Sequence, residues 1–330
     1  MVQVSIIIPT YNRTRWLAQA IDSAINQMSC SVEVIVVDDG SNNTKAGEIA
    51  ARYKDVIYLY QEKRGTGWAR NIGLKHCQGD FIQFLDDDDL LAESSIAAKM
   101  NVLQKNPDVD VVYSDLYLMN EQGNILGTYY RSSKRPLPQG DIYPQLVFYN
   151  FIPIHSMLWR REALLKAGGF PERSILEDWE CLLKVSEKSN FAFVDQPLGY
   201  YRLHQGNISA DFQKQMDAFT EVQQEVLYSE RFRGLSNNLK ARVLTKYALK
   251  QWVDGDPILG KKFLHCAQEY APYHPMPWLL SGFMLCGRPL NRSMLRLAWF
   301  LRSKFSSATS SRDYFLQKSA HTTSKSRSRN

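Results

Sequence analysis

Five short apolar runs, each closed by a polar cluster or a turn, constrain the first half of this chain more than any other feature. VSIIIP (4–9), EVIVVDD (33–39), VIYLYQ (56–61), FIQFLD (81–86) and DVDVVYSD (108–115) read as buried-type strands. Helical patterns lie between them. RWLAQAIDSAINQ places Trp16, Leu17, Ala20, Ile21, Ala24 and Ile25 on one side, and GWARNIGLKHC reads as a short second helix. Strands alternating with helices point to an α/β fold, a mostly parallel sheet with helices on both faces. In such sheets ligands sit beyond the carboxyl ends of the strands. Pro9-Thr10-Tyr11, Asp38-Asp39 and Asp86-Asp87-Asp88 stand at those ends.

The run FIQFLDDDDLL raises a question of charge. Four neighbouring carboxylates, Asp86 to Asp89, repel one another and need a positive partner. Asp89 is expected to cap a helix over LLAESSIAAKM, where an acidic group suits the helix start. Asp86 closes an apolar strand at the ligand end of the sheet. An Asp-x-Asp there suits a hard divalent cation held against phosphate oxygens, although a solvated acidic loop has the same composition.

Further along, REALLKAGGF reads as a short helix closed by Gly168-Gly169, and LEDWECLLKVSEKS as a helix with Trp179, Leu182, Leu183 and Val185 on its apolar side. FAFVDQPLGYYRLH reads as one more strand, while 116–155 is less regular, with a Pro/Gly-rich loop at KRPLPQGDIYP. From 211 onward the pattern is helical. Three segments are expected: 1–210 as the α/β domain, 211–305 as a helical extension, and 306–330 as a basic Ser/Thr-rich tail without a packed core.

Charge divides the chain. Residues 1–210 carry 21 Lys+Arg and 25 Asp+Glu, a balance of −4, whereas residues 211–330 carry 19 and 9, a balance of +10. The acidic part suits cations and the basic part an anionic surface. In 276–305, Arg288, Arg292 and Arg296 recur at i, i+4 and i+8, with Met294, Leu297, Leu301 and Phe305 on another side and Trp278 and Trp299 nearby. That pattern fits peripheral contact with an anionic bilayer, or equally a helical hairpin packed on the protein. Basic residues without a recognised binding motif do not point to nucleic acid. The start MVQVSIIIPTYNR reads as a strand and not a signal peptide, and no run is long enough to span a bilayer. Five scattered cysteines form no cage or framework, which suits a reducing cytoplasm. The expected location is cytoplasmic, with the inner face of the membrane as the place a basic C-terminal third would dock.

VSIIIPTYNR, VIVVDDGSNN, GTGWARNIGL, GDFIQFLDDDD and LEDWE occur in that order. Together they resemble the family 2 glycosyltransferases, which have the GT-A fold; the resemblance covers about residues 3–205. It implies sugar transfer from a nucleotide-diphosphate donor, most often a UDP-sugar, to a hydroxyl of a glycan, lipid-linked or protein acceptor. Mn2+ or Mg2+ would steady the leaving diphosphate. Pro9, Thr10, Tyr11 and Arg13 then cradle base and ribose, and Asp39 hydrogen-bonds the base. Gly65 and Arg70 belong to a segment closing over the nucleotide, with Asp86 near the ribose and Asp87 in the variable middle position. Asp88 is the implied metal ligand and His204 a diphosphate or metal contact. Asp178 is the implied general base of an inverting transfer, helped by Glu177, and His155 and Trp179 fall where the acceptor would lie. Blander roles stand beside these. Gly65 and Gly67 serve equally as turn glycines, Arg70 as a structural ion pair, His204 as a packed histidine, and Glu177 and Asp178 as acids favourable at a helix start. Two other functions fit the same sheet. A sugar nucleotidyltransferase would want a Gly-rich loop where PTYNRTRW stands, and a non-catalytic nucleotide-sugar-binding module would have no need of both DDD and ED.

Overall fold

A computed structural model describes residues 3–28, 30–130, 137–173, 175–204 and 212–285. The chain divides into two compact units, with the break between residues 208 and 209.

The first unit alternates as β1 (Val4–Thr10), α1 (Leu17–Ile25), β2 (Val32–Asp38), α2 (Lys45–Ala50), β3 (Val56–Tyr60), α3 (Thr66–His76) and β4 (Phe81–Phe84). It continues with β5 (Leu90–Leu91), α4 (Ser95–Lys105), β6 (Val109–Met119), β7 (Ile125–Thr128), α5 (Tyr143–Leu146) and a 3-10 turn at Ile154–Ser156. Then come β8 (Met157–Arg160), α6 (Arg161–Lys166), α7 (Glu177–Ser186) and β9 (Asn190–Arg202). Among the described residues these strands form one nine-stranded sheet in the order β3-β2-β1-β4-β8-β6-β9-β5, with β7 on β6. The half built from β1 to β4 is parallel, and β8, β5 and β7 join antiparallel. This is the mixed α/β architecture expected of the sequence.

β1 is buried along its whole length, which is why its apolar run does not alternate. One stripe of α1, Leu17, Ala20, Ile21 and Ala24, packs into the core beside Ile6, Ile8, Val34 and Val36. Strand order turns at β1, with β2 and β3 on one side and β4 on the other. Because these strands are parallel, Thr10, Asp38 and Asp86 emerge at the same edge of the sheet.

One expectation is overturned locally. Asp89 does not cap a helix; Leu90 and Leu91 form β5, paired with Tyr200 and Gly199 of β9, and the helix begins only at Ser95. Strand pairing in three dimensions overrides a local signal that is compatible with either state. Asp89 instead accepts a hydrogen bond from the backbone N–H of Arg202 at 2.7 Å.

The second unit is helical: α8 (Phe212–Tyr228), α9 (Glu230–Arg233), α10 (Asn237–Asp254), α11 (Pro257–Tyr270) and α12 (Pro275–Leu285). Ser229, Ser236 and Asp256 cap α9, α10 and α11 through side-chain oxygens that accept backbone N–H groups. α12 carries no charged residue and leaves Met276, Trp278 and Leu279 exposed. No helix among the described residues is long and apolar enough to cross a membrane. The arginine series at 288, 292 and 296 and the tail at 306–330 lie outside the described residues.

Candidate active site

Among the described residues, Asp86, Asp87 and Asp88 meet three basic side chains of the protein itself. Arg13, just past β1, pairs with Asp87 at 2.6 Å and with Asp88 Oδ2 at 2.7 Å. His204 Nε2 lies 2.8 Å from the same Asp88 oxygen, its ring 4.7 Å from that of Trp16. Arg70, on α3, gives Nη2 to Asp86 at 2.9 Å and Nη1 to Glu177 at 2.6 Å. Arg70 is therefore a structural ion pair, but one that joins the acidic run after β4 to the acidic start of α7.

Electrostatics separate the carboxyls. Burial drives Asp87 upward to about 8 against the pull of Arg13, and its Oδ2 accepts the Thr10 hydroxyl at 2.7 Å. Burial acts on Asp88 in the same direction, yet the His204 hydrogen bond and the Arg13 charge outweigh it and hold its carboxyl below the usual range. Burial likewise raises Asp89. Glu177 rises to about 7 through burial, opposed by Arg70, and Asp178 rises for the same reasons in the same order. Asp88 is thus better kept as an anion than Asp87 or Asp89.

Local backbone aims α7 at this cluster. Leu176, just before Glu177, has φ 59°, a left-handed conformation that costs a non-glycine residue about 1–3 kcal/mol and is found where the surroundings enforce it. The loop preceding it is tied to the start of α3, where Gly67 N donates to Arg173 O at 2.9 Å. A Cβ on Gly67 would sit 2.1 Å from the Pro171 carbonyl oxygen, so this glycine serves close approach between the two segments. Gly65 is the turn glycine, with φ 105°.

The other expected residues fall as follows. Pro9 lies within β1 opposite Val37. Tyr11 has the Lys63 ammonium 3.7 Å from its ring centroid. Asp39 is nearly buried and accepts N–H groups from Arg64 and Gly65, each at 2.9 Å, and from Gln61 at 2.7 Å, so in this structure it shapes the 61–65 loop. His155 and Trp179, expected where the acceptor would lie, are both 1% exposed. Trp179 Nε1 donates to Leu146 O at 2.8 Å, and His155 stacks at 5.5 Å on Tyr201. Their bulk and aromatic character favoured the core over a polar cleft.

Two carboxylate–imidazole sets suit a divalent cation. Asp88 with His204 is one. Asp86, Asp89 and His155 form the other, with donor atoms within 4.8 Å of one another. His155 Nδ1 lies 3.1 Å from Asp89 Oδ2, and neither ring nitrogen of this buried histidine makes a hydrogen bond among the described residues. Burial pushes His155 down to about 4, so its imidazole is neutral. The donor chemistry therefore fits a divalent cation.

Residues 5–166 match the family model described as Glycosyl transferase family 2. An uncharacterized glycosyltransferase of Rickettsia prowazekii (strain Madrid E) is 30% identical over 222 residues, covering 66% of this chain and 70% of that protein. One from Rickettsia conorii (strain ATCC VR-613 / Malish 7) is 28% identical over 255 residues, 75% of this chain; the chain spans 41% of that relative's length. Among solved structures, Staphylococcus aureus TarS 1–349 in complex with UDP-GlcNAc superposes with a TM-score of 0.58 at 17% identity, covering 82% of this chain and 80% of that one. The mannosyltransferase PcManGT from Pyrobaculum calidifontis, in complex with GDP-Man and Mn2+, gives 0.53 at 18% identity, covering 88% and 82%. At these identities the two structures speak to the fold alone.

Proposed function

This chain belongs to glycosyl transferase family 2, and on that premise we propose that it transfers a sugar from a nucleotide-diphosphate donor to an acceptor hydroxyl, with inversion at the anomeric carbon. The observation that carries the reading is Arg70, which is buried and binds Asp86 and Glu177 at once. It brings the donor-side acids and the α7 acids into one electrostatic unit, and Asp178 feels both Arg70 and Asp86.

In this mechanism the donor diphosphate lies at the carboxyl edge of the sheet. Thr10, Tyr11, Arg13 and the loop held by Asp39 and Gly65 surround its nucleoside, and Asp86 lies near its ribose. Asp88 and His204 are the residues that would hold Mn2+ or Mg2+. When bound, the metal supplies positive charge against the diphosphate as it leaves. Asp178 takes the proton of the acceptor hydroxyl while the oxygen attacks C1 and the C1–O bond to the diphosphate breaks. Attack opposite the leaving group in one step inverts C1. Glu177, paired with Arg70, fixes the helix start beside the base. UDP-sugars are the first donors to test, with GDP-sugars next.

The acceptor reading places the enzyme beside an anionic lipid surface at the cytoplasmic face of a membrane, where a lipid-linked glycan would be met. Met276, Trp278 and Leu279 of α12 are 52%, 55% and 67% exposed, and the sequence that follows them is basic. Cosedimentation with phosphatidylglycerol vesicles is expected, lost in Trp278→Ser and in high salt; equal binding to neutral vesicles contradicts it.

A thermal-shift panel of UDP- and GDP-sugars with and without Mn2+ tests the donor and the metal together. One donor should raise the melting midpoint only with metal. No shift with any of them contradicts the proposal.

A further inference from the structure

The general base proposed above has a second neighbour that no motif announces. Asn150 lies in the loop between α5 and the 3-10 turn, and its Nδ2 donates to Asp178 Oδ2 at 2.9 Å. Its Oδ1 accepts the backbone N–H of Ile152 at 3.0 Å. The two contacts fix which end of the amide faces the carboxylate, since Ile152 N–H requires an acceptor and Asp178 a donor. On the other side, Asp178 Oδ1 accepts the N–H of Trp179 at 2.8 Å. Among the described residues each oxygen of Asp178 thus has one protein donor, and the plane of the carboxylate is set from both ends. Oδ2 keeps a lone pair for an incoming hydroxyl.

The loop that carries Asn150 is itself held. Tyr130 donates its hydroxyl to Phe151 O at 2.7 Å, Tyr149 packs edge-on to Phe151 at 5.9 Å, and Trp179 of α7 donates its indole N–H to Leu146 O. Loop and helix are therefore tied at two places, once through the base and once through the residue after it. Asn150 and Asp178 are both half-buried, so the pair is reachable and still partly desolvated. We infer that Asn150 is a positioning residue for the transfer reaction, aiming Asp178 Oδ2 at the acceptor hydroxyl and favouring its ionised form. This inference rests on the reading of Asp178 as the base.

The charged and titratable groups facing Asp178 are Arg70 of α3, Asp86 beyond β4, and Glu177 and the Cys181 thiol of α7. Arg70 favours the anion, while Asp86 and burial oppose it. An amide N–H adds to the Arg70 side. Losing it must move the Asp178 titration upward, an effect that simple loosening of a loop does not produce.

The test follows the Asp178 carboxyl by 13C NMR in the intact chain, with Asp178→Asn to assign the resonance, in wild type, Asn150→Ala and Asn150→Ser. Turnover is read alongside as nucleoside diphosphate released from UDP-GlcNAc or GDP-Man with Mn2+, water serving as acceptor. Asn150→Ala should raise the Asp178 midpoint by about one pH unit and lower kcat on the order of 10- to 100-fold, with donor affinity within twofold. Asn150→Ser, which retains a donor, should recover part of both. An unmoved midpoint in Asn150→Ala overturns the inference, whatever happens to kcat. If Asp178→Asn keeps wild-type turnover, the base assignment falls and the positioning role with it. If Asp178→Asn is inactive and Asn150→Ala behaves as wild type, only the role of Asn150 fails.

Discussion

Replacing Arg70 by methionine is the perturbation whose size the structure defines best. The side chain is 3% exposed and holds Asp86 and Glu177 at 2.9 and 2.6 Å. Methionine keeps most of the volume beside Phe170 and removes only the charge and its donors. The two carboxylates then respond differently. Asp86 is 28% exposed, so water takes over part of its solvation, and losing its charged hydrogen bond should cost about 1–2 kcal/mol. Glu177 is buried and has an alternative, which is to keep a proton. In wild type its midpoint is about 7 against 4.5 for the free side chain, so below pH 7 it is already largely neutral and Arg70 adds little through it. Above pH 7 wild-type Glu177 ionises against Arg70, whereas in the variant it stays protonated to higher pH. The folded variant then binds a proton that the unfolded chain has lost, and its stability falls relative to wild type by about 1.4 kcal/mol per pH unit. Arg70→Met should thus lose about 1.5 kcal/mol at pH 6 and about 3.5 kcal/mol at pH 8.5, the latter within the range for a broken buried pair. Urea denaturation at the two pH values measures this. Adding Glu177→Gln to Arg70→Met should recover stability at pH 8.5 and little at pH 6. Equal losses at both pH values, or no recovery in the double variant, would refute the coupling.

Other consequences concern the core, the turn and the acidic cluster. Lys99 is fully buried, with its ammonium 2.8 Å from Gln83 Oε1, and burial brings it down to about 7 from 10.5. The unfolded chain holds that proton longer, so stability should rise by about 2 kcal/mol from pH 7 to pH 9, a slope that Lys99→Met abolishes in urea titrations. Gly67→Ala forces the Pro171 carbonyl away from a contact of 2.1 Å and with it the approach to Leu176 and Asp178. Turnover should drop on the order of 100-fold while donor affinity by calorimetry changes little. Arg13 occupies Asp88 Oδ2, so Arg13→Gln should tighten Mn2+ binding measured by electron paramagnetic resonance without donor, and weaken donor binding. Weaker Mn2+ binding in that variant would contradict a competing role for Arg13.

Much of this site can be read from sequence because it rests on chain geometry. Parallel strands put their carboxyl ends on one edge, so Thr10, Asp39 and Asp86 could be placed together from periodicity alone. What periodicity does not encode is which cation meets which acid. Arg13 takes Asp87 and Asp88 while Arg70 takes Asp86, and that division depends on where α3 and α7 pack. β5 was hidden because two leucines carry no strand signal until β9 lies beside them. Asn150 was hidden for a similar reason: an asparagine in a Pro- and aromatic-rich loop looks like turn chemistry until α7 arrives. His155 and Trp179 are both buried, since proximity in sequence to polar motifs does not bring a large ring out of the core.

The paired substitutions Asp88→Ala and Asp178→Asn, each titrated with the donor that stabilises wild type in Mn2+ and each assayed for diphosphate release, probe the convergence of the two acidic motifs most directly. Asp178→Asn should bind that donor as wild type does and release no diphosphate, whereas Asp88→Ala should lose metal-dependent binding altogether. Undiminished release by Asp178→Asn, or unchanged metal-dependent binding by Asp88→Ala, would show that these carboxylates do not divide the labour of one reaction.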